Sequence, residues 1–515
     1  MKKIFTLILG LGLFASTSLN AQDAMVRVHD GGTGEVIPAE IYGQFSEHLG
    51  RCIYGGLWVG PESDVPNING YRKDVFEALK VLKVPVMRWP GGCFADDYHW
   101  RDGIGPQEQR AYISNNNWGG TLEDNSFGTH EFLNLCEMLD IEPYISGNVG
   151  SGTVEEMAEW VEYMTSDAKS TMADLRRANG REEPWKVKYF GIGNEAWGCG
   201  GSMTPEYYSD LFRQYQTYLR NFGSNRLYKI ASGASDYDYN WTKVLMQNLT
   251  RKGMAGLSLH YYTVINWGKK GPALGFSDKE YYNIVSKAIE IEDVLKKHIE
   301  IMDEIDPRGT VDLLLDEWGT WYDVEPGTNP GHLYQQNTMR DAIVAALNFN
   351  IFHKYTRRLK MANIAQVVNV LQAMILTNEK EMVLTPTYHV FEMYNVHQDA
   401  EFLASDCITG KIKNDRKVDV PEVDVTASRK DGQMNLSLVN SDLKKEKKVV
   451  VSFDNPEAIS KILSARVLTS KDVRDYNDFG KADVVKPEAF KSYKLTKAGL
   501  EVTLPPCSIV AISAK

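Results

Sequence analysis

The chain has 515 residues, a formal charge of -11 at pH 7 and six cysteines. An acidic chain without a basic cluster excludes nucleic acid and anionic membranes as natural partners and favours neutral small molecules or polysaccharides. Six scattered cysteines are too few for a disulfide framework, so mostly free thiols are expected; no Cys-x-x-Cys or His-Glu-x-x-His spacing supports a metal, and no cofactor is implied.

In chain order, residues 1–21 have the pattern of a secretory signal. Lys2 and Lys3 precede an apolar run from Ile4 to Phe14, and a small and polar stretch leads to Ala21. The run is too short to span a bilayer, and Leu19 stands where a smaller residue is usual. The expectation is an exported protein, periplasmic or secreted, whose mature charge is -13 once Lys2 and Lys3 are lost from the total of -11. In residues 22–37, Val26 and Val28 flank Arg27 and predict one strand that joins a later sheet.

Between 38 and 385 short apolar runs alternate with amphipathic stretches. Strands are predicted at 41–45, 84–89, 142–146, 187–192, 227–232, 256–260, 311–315 and 362–368, with helices at 71–82, 128–139, 153–164 and 335–352 among them. Parallel strands need such long crossovers, and eight repeats suggest an α/β fold closed as a (β/α)8 TIM barrel. From 386 to 515 the pattern changes. Met434, Leu436 and Leu438 alternate with polar residues after Asp431-Gly432, Leu500, Val502 and Leu504 repeat the alternation, and 449–453 is strand-like. This predicts a C-terminal antiparallel β-sandwich, jelly-roll-like, packed directly on the barrel.

In such barrels the chemistry gathers at the C-terminal strand ends. Glu47, Arg88, Asn148, Asn194, Glu195, Tyr262, Glu317 and Gln366 all fall there. Glu195 and Glu317 each end an apolar run. A buried strand-end carboxylate is costly without a task, and cleavage of an acetal needs two, one protonated for the leaving oxygen and one ionised to meet the sugar centre. A surface-loop position is the bland alternative for each.

The segments 41–56, with Gly43-Gln44-Phe45-Ser46-Glu47-His48, and 87–94, Met87-Arg88-Trp89-Pro90-Gly91-Gly92-Cys93-Phe94, carry a wider pattern. It continues through Tyr98-His99-Trp100-Arg101-Asp102, the segment 125–132, Gly193-Asn194-Glu195-Ala196-Trp197, Ser258-Leu259-His260-Tyr261-Tyr262, Asp316-Glu317-Trp318 and Ala365-Gln366-Val367-Val368-Asn369. The chain thereby resembles the family 51 glycoside hydrolases, chiefly α-L-arabinofuranosidases, from near its start to its tail. The resemblance implies a catalytic barrel with a sandwich built from both termini, Glu195 as general acid/base and Glu317 as nucleophile. It implies that Glu47, Cys93, Asn194, Tyr262 and Gln366 hold the terminal sugar and that Arg88 supports the nucleophile's charge. It also suggests a homo-oligomer, with a hexamer among the options.

Physical chemistry adds its own weights. A cation at Arg88 would keep Glu317 ionised, whereas a barrel-core ion pair is its plainer role. Tyr262 fits a donor to the nucleophile, with packing as the alternative and Tyr261 as a rival. A small thiol such as Cys93 usually just packs. His48, His99 and His260 suit hydrogen bonding in the site, though buried structural histidines are common. Trp100 and Trp118 suit a sugar-stacking wall, with core packing an equal alternative. The expected function is a retaining, exo-acting α-L-arabinofuranosidase acting on arabinan, arabinoxylan or related plant oligosaccharides. An endo-β-glucanase and a non-catalytic carbohydrate-binding protein are the competing expectations; the Glu47 and Gln366 pair disfavours the first, and the presence of both glutamates the second.

Overall fold

The computed structural model describes residues 23–515. The leader expected at 1–21 lies outside the described residues. Eight strands, Gly43–Phe45, Val86–Trp89, Glu142–Gly147, Tyr189–Ile192, Tyr228–Ser235, Gly256–Thr263, Asp312–Thr320 and Leu359–Ala365, pair in parallel in chain order. The eighth returns to the first through Asn363 opposite Gly43 and Ala365 opposite Phe45, which closes the barrel. Val86, Tyr144, Tyr189, Ile230, Leu314 and Met361 form a separate buried apolar cluster within the barrel strands, which leaves polar side chains to cluster at the C-terminal ends.

The predicted elements recur with shifted ends, and the shifts have local causes. The strand expected at 311–315 runs to Thr320, so Glu317 lies within it. The helix expected at 335–352 begins at Met339 because Thr338 caps it: its hydroxyl accepts from Arg340 N, while Asp341 reaches back to Thr338 N at 2.7 Å. That helix, Met339–Lys354, is buried almost all round. It lies between barrel and sandwich, where Asn350 donates to Asp424 and His353 meets Thr426.

The sandwich stacks a five-stranded sheet on a six-stranded one. Ala24–Val28 lies inside the first, antiparallel to Ser405–Thr409 and parallel to Lys447–Phe453. Its alternation puts Ala24, Val26 and Val28 into a core shared with Leu436, Leu438, Leu500, Val502 and Leu504. Among the described residues no helix is long and apolar enough to cross a membrane.

Candidate active site

Six of the barrel's strands or their following loops send a polar side chain to one mouth. Glu47 follows the first strand. Its Oε1 accepts from Gly92 N (3.0 Å), Phe94 N (3.1 Å) and Trp118 Nε1 (2.9 Å), and its Oε2 from Gln366 Nε2 at 3.0 Å. Trp118 reaches it from the tip of a hairpin formed by Ile113–Asn115 and Thr121–Glu123. Gly92 has no substitute here, because a Cβ on it would lie 2.7 Å from Glu317 Oε1.

Glu317 is held on both oxygens. Arg88 Nη1 donates to Oε1 at 2.8 Å and the Tyr262 hydroxyl to Oε2 at 2.8 Å. Arg88 also donates through Nη2 to Asn194 Oδ1 at 2.6 Å, so the Asn194 amide nitrogen is left to donate elsewhere. Buried Asp96 anchors the Asn194 backbone: its Oδ2 accepts from Asn194 N (3.0 Å) and its Oδ1 from Val149 N and Gly150 N. The next residue, Glu195, takes φ +38°, an uncommon conformation for a side chain of its size and a mark of local strain at the site. His260 Nδ1 lies 2.8 Å from Glu195 Oε1 and 3.4 Å from Glu317 Oε2, and one carboxylate oxygen of each glutamate falls within 4.8 Å of the other.

The electrostatics follow from burial. Burial pushes the Glu195 carboxyl up, while the bond to His260 pulls the other way. Burial works against charge on His260, but Glu317, Asp316 and Glu195 outweigh it and raise the ring to about 10. Burial and the Glu317 charge lift Glu47 to about 7 against the donors Trp118, Phe94 and Gly92. Burial opposes the Arg88 charge too, yet Asp316 and Glu317 hold it firmly protonated. Glu195, His260 and Glu317 have the atom types of a cation site, but both ring nitrogens of His260 face carboxylates as proton donors.

The structure thus brings Glu47, Arg88, Asn194, Glu195, His260, Tyr262, Glu317 and Gln366 together. The readings of Cys93, Trp100, His48, His99 and Asn148 as site residues need correction. Cys93 offers no thiol to a sugar, because its sulfur is bonded to Cys199, across a separation of 106 residues. Both sulfurs still line the site, 3.9 and 3.5 Å from Glu195 Oε2, as contacts without a proton to donate. Cys52, Cys136, Cys407 and Cys507 are free thiols. Trp100 is no sugar wall: it is 1% exposed, stacks on Trp160 and donates to the Glu156 carbonyl. His48 and His99 are structural, His48 wedged between Glu123 and the Trp89 indole and His99 paired with Glu156. Asn148 ties its own loop, to the Tyr98 carbonyl and Ser151.

Two residues escaped the sequence. Asp96 sits four residues beyond the Pro-Gly-Gly turn, beside a second aspartate that is exposed. Asp316 precedes Glu317 on one strand, where neighbours normally point to opposite faces. The pairing register of this strand shifts between Leu315 and Trp318, so both carboxylates reach the interior.

A parallel barrel with paired carboxylates at the C-terminal mouth is the layout of a barrel glycosidase. The comparisons narrow the class. Residues 78–274 match the α-L-arabinofuranosidase 1 domain model, and residues 316–508 the α-L-arabinofuranosidase C-terminal domain model. The chain is 61% identical to an intracellular exo-α-L-arabinofuranosidase of Bacteroides ovatus, over 97% of each chain. A crystal structure of the GH51 arabinofuranosidase from Xanthomonas axonopodis pv. citri superposes with a TM-score of 0.93 at 45% identity, covering 96% of this chain and 100% of that one. The arabinose complex of an α-L-arabinofuranosidase from Thermotoga maritima gives 0.83 at 31%, covering 95% and 99%. The chain belongs to the α-L-arabinofuranosidases of glycoside hydrolase family 51.

Export is the expectation that the comparisons overturn. The Bacteroides relative, matched over 97% of its length, is named intracellular, against the reading of an exported protein.

Proposed function

We propose that the chain removes terminal α-L-arabinofuranose from arabinose-containing oligosaccharides by double displacement, with retention at the anomeric carbon. Glu317 attacks as nucleophile and Glu195 serves first as acid, then as base. The observation that supports this reading is the separation of the pair: one oxygen of Glu195 lies within 4.8 Å of one of Glu317, closer than the roughly 6.5–9.5 Å between the carboxyl groups of an inverting site.

The assignments follow the donors. Arg88 and Tyr262 hold Glu317 aligned, each donating to one of its oxygens. The Asn194 amide is oriented to donate to a sugar hydroxyl, and Glu47 with Gln366 receives the far edge of the ring. The hairpin bearing Trp118 leans on the opposite loop, where Gly119 packs against Gly331 and His332. This closed end supports release of a single terminal sugar and disfavours an endo-acting cleft. Beyond Tyr262, Trp321 and half-exposed Trp267 meet edge to face, a shelf suited to the apolar face of a following sugar. We assign catalysis to 38–385 and the sandwich to 386–515 with 22–37, in a homo-oligomer that light scattering would test.

Proton NMR of the first sugar released, before mutarotation, tests the chemistry. Retention, with transfer of arabinose to added methanol, is the expected result. An inverted product without methanolysis would make Glu317 a base acting through water.

A further inference from the structure

His260 meets a third carboxylate on its far side. Its Nε2 lies 3.2 Å from Asp316 Oδ1, an ion-pair contact rather than an aligned hydrogen bond, and that oxygen has no other polar partner. Asp316 is 1% exposed and cannot reach a substrate. Its Oδ2 accepts from the Tyr144 hydroxyl at 2.7 Å and lies 3.6 Å from Arg88 Nε, which fixes the carboxylate to the barrel interior. The order across the site is therefore Asp316, His260, Glu195, mouth. Arg88 and His260 match the charges of Asp316 and Glu317, so a proton on Glu195 leaves the cluster neutral.

We propose that Asp316 is a positioning residue for the acid/base step: acting only through His260, it keeps the ring doubly protonated, so that Glu195 Oε1 always accepts and the transferable proton resides on Oε2. This rests on the assignment of Glu195 as acid/base. Oε2 is the oxygen that faces the mouth beside Cys199, while Oε1 is taken by the ring. In the first displacement the O–H bond at Oε2 breaks, the departing oxygen gains that proton, and the bond from the anomeric carbon to that oxygen gives way to one with Glu317. The new Glu195 carboxylate then receives a charge-assisted bond from His260. In the second, water loses its proton to Oε2 and its oxygen replaces Glu317 at the anomeric carbon.

Without the Asp316 charge, a neutral ring would turn its one proton toward residue 316 and accept at Nδ1. The Glu195 proton would then be drawn to Oε1, on the wrong side. The charged and titratable groups that face His260 are Glu195, Glu317, Asp316 and Arg88, with Tyr262 beside it and Asp236 below, whose amide donates to the His260 carbonyl. Burial raises the Asp316 carboxyl, but Arg88, His260 and Tyr144 outweigh this and hold it low, so it remains an anion in the working range.

The test is Asp316→Asn, assayed on arabinofuranosides with poor and with activated leaving groups beside Glu195→Ala. The expected loss in kcat/KM is about 10- to 100-fold on poor leaving groups and far smaller on activated ones. The alkaline limb of the profile should move by about one pH unit or more, because the variant's neutral ring no longer pulls the Glu195 carboxyl down. Equal losses on both substrates with an unmoved limb would overturn the inference. If Glu195→Ala shows leaving-group selectivity and Asp316→Asn does not, the inference alone fails; if neither does, the Glu195 assignment fails. Should Asp316→Asn not fold, nitrogen NMR of the wild-type histidines decides. Two protonated ring nitrogens on His260 at pH 8 are expected, and a neutral ring would overturn the proposal.

Discussion

Glu317 has a cation on one oxygen and a phenol on the other, whereas Glu195 has an imidazole on one oxygen and only the two disulfide sulfurs near the second. That asymmetry separates their losses. Glu317→Ala should abolish turnover on every substrate, since no covalent intermediate forms. Glu195→Ala should cost about 10²- to 10⁴-fold on unactivated substrates and far less on activated aryl arabinofuranosides. Azide should then accelerate release of the trapped intermediate in the Glu195 variant, and the reverse pattern in steady-state assays would exchange the roles. Glu47 gives a pH signature. Its folded value of about 7 lies above the ordinary 4.5, so between them the folded chain keeps a proton that the unfolded chain has released. This contribution to stability is greatest below 4.5 and falls as pH rises toward 7. Denaturant titrations of wild type and Glu47→Gln should therefore diverge over that window by at most about 3 kcal/mol, and stay parallel above it.

The hairpin 113–123 and the Cys93–Cys199 bond are the elements that shape the pocket's walls. Trp118 contributes an indole donor to Glu47 and one wall, so Trp118→Ala should raise KM by about tenfold, with a smaller change in kcat, as an interaction made equally in ground and transition states would. The disulfide joins the loops after the second and fourth barrel strands. Breaking it with Cys199→Ser should lower stability in non-reducing buffer by about 2–4 kcal/mol, read from unfolding curves. These elements also mark the limits of the sequence. The eight strands were legible because a buried parallel strand is a short apolar run, and Glu195 and Glu317 because a carboxylate ends such a run. The shift in register that turns Asp316 inward leaves no trace in composition. Neither does the partner of Cys93, since its position relative to Cys199 depends on how far round the barrel the chain has travelled. Trp100 misled because an indole in a Trp-Arg-Asp loop looks the same whether it faces sugar or Trp160.

At the scale of the whole molecule, barrel and sandwich are held together by the buried helix Met339–Lys354 and the Arg474–Asp278 pair. Removing Ala24–Val28 should therefore be felt beyond one strand. It strips Val26 and Val28 from the core and leaves two neighbours unpaired, a loss of at least about 3 kcal/mol that calorimetry should record as a lowered Tm.

The same strand imposes an order in time. Ala24–Val28 precedes its nearest partner, Ser405–Thr409, by more than 370 residues. At about 5–20 residues per second, it waits roughly 20–75 s on the ribosome with both edges unpaired. Apart from the closing pair of first and eighth strands, the barrel's strands pair with near neighbours, and all are made during that interval. The sandwich then closes last, around a strand that has been exposed longer than any other.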